Sequence, residues 1–96
     1  MALTHYKITV GTGVTKVVTA GNADDGTRVY LANVSGTNDI HLGDETVTTT
    51  DGYLLPKQNG QTVANRQEFV LYSGDSIYAT AAATAELQVL ISGVIQ

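Results

Sequence analysis

Cysteine and tryptophan are absent from this sequence, proline and methionine occur once each, and five Lys and Arg stand against nine Asp and Glu. Each scarcity excludes something. Without cysteine the fold is neither disulfide-stapled nor built around a zinc finger. The cations Lys7, Lys16, Arg28, Lys57 and Arg66 are scattered along the chain, and the net charge is −4. Nucleic-acid binding needs clustered cations to neutralise phosphates, so no nucleic-acid partner is expected. The opening residues, MALTHYKITV, lack a basic segment followed by an apolar one, so no secretory signal is read there. Ile77 to Ile95 carries a single charge, Glu86. Its Thr80, Thr84, Gln88 and Ser92 make it too polar for a membrane span, and its alternation is that of strands.

Catalytic signatures are missing as well. There is no G-x-S-x-G and no Walker lysine–serine pair. Gly11-Thr-Gly13 lacks a third glycine at dinucleotide-binding spacing and reads as a hairpin turn. His5 and His41 are the only histidines available as a base. This inventory points to no catalytic residue, no cofactor, no metal and no small-molecule substrate.

What the chain does have is alternation. Apolar residues make up 43% and charged residues 15%, a balance that argues against disorder. Tyr6, Ile8 and Val10 alternate with His5, Lys7 and Thr9. Ala85, Leu87, Val89 and Ile91 alternate with Glu86, Gln88 and Leu90. A period of two with one buried and one wetter face is the mark of antiparallel sheet. Turn chemistry at Asn22–Gly26, Ser35–Asn38, Gly43–Glu45, Asp51-Gly52, Asn59-Gly60 and Ser73–Asp75 separates the runs. The pattern predicts strands over 5–10, 14–20, 27–34, 38–43, 46–50, 61–72, 75–81 and 85–94. Thr80 to Glu86, TAAATAE, is the best helical candidate, but a strand, or two strands meeting at a tight turn near Ala82–Thr84, fits better. Arg28 to Val34 is apolar on both faces and is expected to be central or to meet another molecule. Pro56 should end a strand or lie at an edge. The expected fold is an all-β, single-domain antiparallel β-sandwich or jelly roll of about eight short strands over residues 1–96, with residues 1–12 an interface arm or a strand.

One stretch, NDIHLGDETVTTTDGYLLP from Asn38 to Pro56, gathers Asp39, His41, Asp44, Glu45 and Asp51. A calcium site needs several oxygens converging on one point. Here Asp44 and Glu45 are adjacent and diverge if extended, and Asp39 with His41 supplies two ligands at most. Strand, turn, Thr-rich strand and Asp-Gly turn is the simpler reading. Five tyrosines offer a different lead. Tyr30, Tyr72 and Tyr78 fall on the faces opposite Leu31, Leu71 and Ile77. A second apolar face on so small a domain predicts a partner or a homo-oligomer.

The order RVYLAN, DIHLG, TVTTTDGYLLP, FVLYSGDSIYA, ELQVLI resembles small virion proteins of tailed bacteriophages, of the capsid decoration or cement type, and related head and fibre β-sandwich domains. The matching residues include Asn33, Ile40, Leu42, Gly43, Val47, Gly52, Leu55, Pro56, Gly74, Asp75, Ile77 and Tyr78. Where that family carries a Pro-Gly pair, this chain has the longer Pro56–Gly60. The resemblance implies a structural virion protein on the capsid exterior, made in the host cytoplasm. It would bind the major capsid protein lattice as a trimer and bridge coat subunits; the alternative is a head-fibre or receptor- or carbohydrate-binding module. On that reading the interface residues are Tyr6 and Lys7, the aromatic contacts Tyr30 and Tyr53, and the loop residues Lys57, Gln58 and Asn59.

Overall fold

Alternation does set the architecture. A computed structural model describes residues 3–96, with Met1 and Ala2, the first residues of the expected 1–12 arm, outside the described region. Eight strands and no helix appear in the described residues: β1 (Leu3–Val10), β2 (Thr15–Thr19), β3 (Thr27–Asn33), β4 (Ile40–Gly43), β5 (Tyr53–Leu55), β6 (Asn65–Leu71), β7 (Ser76–Ala81) and β8 (Ala85–Ser92). A long sheet has the order β1-β8-β3-β6 and a short sheet the order β2-β7-β4-β5. First pairs with last, second with seventh, third with sixth and fourth with fifth, all antiparallel. That nesting is the jelly roll. Of the two architectures expected, the topology selects this one. β3 lies between β8 and β6, inside the long sheet.

The sheets pack face to face in a body 17 Å thick through its thinnest dimension, room for one shared layer of side chains. Val10, Val29, Leu31, Leu87, Val89 and Ile91 fill that layer from the long sheet; Val18, Ile40, Leu42, Leu55, Ile77 and Ala79 fill it from the short one. Each occupies the apolar phase of its strand, so burial and pairing reinforce each other. In β2 the register shifts between Lys16 and Val18, and this bulge lets Val17 and Val18 both turn inward although they are adjacent.

Three side-chain devices close the sandwich. At one end Asn33, fully buried, donates to the Leu55 carbonyl at 2.9 Å and the Asn38 carbonyl at 3.1 Å, and accepts from the Ser35 amide at 2.9 Å. It thereby ties the end of β3 to β5 across the two sheets. Along one open side Tyr6 of β1 donates its hydroxyl to the Val17 carbonyl of β2 at 2.6 Å. Along the other, the Tyr53 ring of β5 stands edge-on to Phe69 of β6 at 6.0 Å, and its hydroxyl donates to Gln67 at 3.0 Å.

Three expectations are corrected. Residues 46–50 are not a strand. The Asp44 carboxylate accepts from the Thr46 amide and hydroxyl, and the Thr48 hydroxyl accepts from the Thr50 and Asp51 amides. Short polar side chains have outcompeted the ladder for local backbone groups. The strand begins instead at Tyr53. The strand expected from residue 61 starts only at Asn65, because Asn59 and Gly60, at φ 51° and 80°, bend the chain and the Gln61 amide bonds back to Gln58. Gly11-Thr-Gly13 makes no hairpin: β1 and β2 lie in different sheets, and among the seven connections only β4–β5 stays within one. The alanine-rich segment follows the expected two-strand reading: β7 ends at Ala81, the chain turns, and β8 starts at Ala85, in the other sheet.

Candidate interaction surfaces

The long sheet turns a broad face outward. Pairing register carries its side chains across in rows: Leu3, Ser92, Arg28, Val70; then His5, Leu90, Tyr30, Glu68; then Lys7, Gln88, Ala32, Arg66. Leu3, Tyr30, Val70 and Leu90 are exposed apolar residues on this one face. Ala32 is the short residue of its row. The taller side chains around it leave an open depression of about 390 Å³, with Tyr30 and Leu90 on one flank and Lys7 and Arg66 at the two ends. Arg28 is engaged, forming an ion pair with Glu68 at 3.3 Å. Lys7 and Arg66 have no ion-pair partner among the described residues.

A second exposed apolar patch lies at the β5 edge. Tyr53 is 52% and Leu54 48% exposed, and Val63 in the following loop is exposed too. Pro56 ends β5, and β5 is an edge strand, satisfying both options its missing amide allowed. The Lys57–Asn59 loop beside it is anchored: the Lys57 amide donates to the Asp39 carboxylate at 2.8 Å and the Gln58 amide to the Ser35 carbonyl at 2.7 Å.

The proposed contact residues therefore separate into two surfaces and one interior position. Lys7 and Tyr30 share the long-sheet face; Tyr53, Lys57, Gln58 and Asn59 gather at the β5 side; Tyr6 points inward, where burial pushes its phenol above the usual 10.0. Tyr30, Tyr72 and Tyr78 do not form one second apolar face. Tyr30 is outside the long sheet, Tyr78 outside the short sheet, and Tyr72 in the β6–β7 loop. Leu3, Leu90, Val70 and Leu54 join these surfaces although the sequence had not singled them out as contacts. Leu90 carried a signal, an apolar residue in the polar phase of a strand.

The acidic stretch does not converge. Asp39 holds the Lys57 amide and Asp44 serves Thr46, whose hydroxyl and amide hold the Asp44 carboxyl below its ordinary range. Among the described residues no three His, Asp or Glu side chains come together as a metal site. Carboxylates instead crowd one end. The loops β2–β3, β4–β5 and β6–β7 all lie at the end where Thr27 and Ser92 sit. They carry Asp24, Asp25, Asp44, Glu45, Asp51 and Asp75, and no Lys or Arg.

The chain matches no family model and no curated protein. Among solved structures, Bacillus endospore appendages, a novel family of disulfide-linked pili, are similar at a TM-score of 0.51 and 18% identity over 99% of this chain and 87% of that one. The periplasmic g-type lysozyme inhibitor PliG of Aeromonas hydrophila gives 0.47 and 7%, over 98% and 86%. The first likeness shows a shared fold and nothing finer, and the resemblance to decoration proteins rests on the sequence motifs.

Proposed function

We propose that this chain is a structural assembly domain, specifically a capsid decoration protein that bridges coat subunits on an assembled phage head. One observation carries the reading: two separate exposed apolar patches, one on the long-sheet face and one at the β5 edge, on a domain of only 96 residues. Scattered surface apolar residues are ordinary, but clustered ones mark contact sites. Two patches let one domain hold its own copies with one and a lattice with the other. An oligomer that meets a repeating lattice at several points gains avidity without new contacts. We assign the β5 edge with Lys57–Asn59 to the lattice. Disulfide linkage of the pilus kind is closed to a chain without cysteine.

The test is cosedimentation with expanded phage heads and, separately, with free coat subunits. The protein should pellet with heads only, and Leu54→Ser/Val63→Ser, both exposed at the β5 side, should release it while leaving its oligomeric mass unchanged. Equal binding to isolated coat subunits would sink the bridging role.

A further inference from the structure

We infer that the depression over Ala32 on the long-sheet face receives the acidic end of a second copy of this chain. Net charge hides a strong polarity in the molecule. Three of the five cations, Lys7, Arg28 and Arg66, lie on the long-sheet face, where Glu68 and Glu86 are the only acids. The loop end described above holds six of the nine acids and no cation. Opposite fields on two surfaces of one chain steer copies head-to-face, and like surfaces repel.

The contact has the parts such an interface needs. Lys7 and Arg66 bracket the depression in one row, three strand spacings or about 14 Å apart. Between them Ala32 leaves room, and Tyr30 and Leu90 supply apolar area. Exposed ion pairs alone contribute little, so the apolar flank matters as much as the charges. At the other pole the carboxylates of Asp24, Asp25, Glu45 and Asp51 are exposed and have no hydrogen-bond or ion-pair partner among the described residues. They are free to face cations. Such a contact is heterologous, joining unlike surfaces, so it closes into a ring or extends as a chain and never stops at a symmetric pair. The trimer of the capsid reading would be its smallest ring. The inference itself needs no capsid and is tested without one.

Two charge-reversed proteins make the test: a face variant, Lys7→Glu/Arg66→Glu, and an end variant, Asp24→Lys/Asp25→Lys/Glu45→Lys. All five positions are exposed, and unchanged circular dichroism and melting would confirm folding. The wild-type chain should associate beyond dimer at ~0.1 M salt and weaken roughly tenfold at ~1 M, where the screening length falls from ~10 to ~3 Å. Each variant alone should sediment as a monomer. Mixed in equal amounts they should associate again, because each reversed surface then meets residues of opposite charge on the other variant. A wild-type monomer at ~100 μM and low salt, a symmetric wild-type dimer, a folded variant that assembles alone like wild type, or a mixture that stays monomeric would overturn the inference. Loss of head binding with self-association intact would instead count against the capsid reading alone.

Discussion

Asn33 is the most informative single substitution. Its amide makes three hydrogen bonds from a position with no solvent exposure, and two of them, to the Leu55 carbonyl and from the Ser35 amide, are themselves buried. Truncation by Asn33→Ala leaves those groups unpaired, at ~1–3 kcal/mol for each. The third bond, to Asn38, is only partly buried and adds less. The expected loss is about 3–5 kcal/mol. A domain of this size is stable by only about 5–14 kcal/mol, so about a fifth or more of its stability hangs on one amide. In a thermal melt that is a fall of at least ~12 °C, at about 4–8 °C per kcal/mol for such a chain. Asn33→Asp refines the test. It keeps the acceptor for Ser35 but sets a buried carboxylate against two carbonyl oxygens. Its pKa must rise in the folded state, above an ordinary ~3.9. Its stability is then highest at acid pH and is lost as pH climbs through that raised value. Urea melts at several pH values read both effects. A cost under ~1 kcal/mol for Asn33→Ala, or a pH-flat Asn33→Asp, would refute the view that this residue clasps the sheets.

Other consequences are smaller. Tyr6→Phe removes the latch to Val17 and should cost about 0.5–1.5 kcal/mol by urea melt. Because burial raises the folded pKa of Tyr6, the wild type should lose stability as pH rises beyond 10.0, and the Phe variant should lose less of it there. Gly52→Ala would place a Cβ 2.6 Å from Val47 Cγ2 and 3.2 Å from both the His41 Cβ and the Leu42 carbonyl, so a loss of ~1–3 kcal/mol is expected. Leu87→Ala, at the fully buried centre of β8, should cost ~2–5 kcal/mol with the melt still cooperative.

The strands were legible wherever a period of two met a buried face. Val29 and Leu31, or Leu87, Val89 and Ile91, could be assigned to a core from the sequence alone because alternation and apolarity coincide there. Thr46 to Thr50 misled for a physical reason: threonine favours strands on average, yet here the Thr46 hydroxyl finds the Asp44 carboxylate and the Thr48 hydroxyl the Thr50 and Asp51 amides, all nearer than a ladder partner. Which strands pair was not legible. Turn residues such as Gly11 and Gly13 mark where the chain bends without saying whether it returns to the same sheet or crosses to the other, and here it nearly always crosses. The outer face of the long sheet was half visible, through Tyr30 and Lys7. Arg66 joins them only through the register of β3 with β6, a pairing across more than thirty positions that no local pattern encodes.

Three lysines report on three surfaces: Lys7 on the long-sheet face, Lys16 outside β2 on the short sheet, and Lys57 beside β5, all exposed in the single chain. Amine-reactive labelling of the protein bound to assembled heads, read residue by residue against the free monomer, therefore tests the two-surface assembly directly. Protection of Lys7 and Lys57 with Lys16 still reactive is the predicted result. Protection of Lys16 with Lys7 and Lys57 both fully reactive would contradict it.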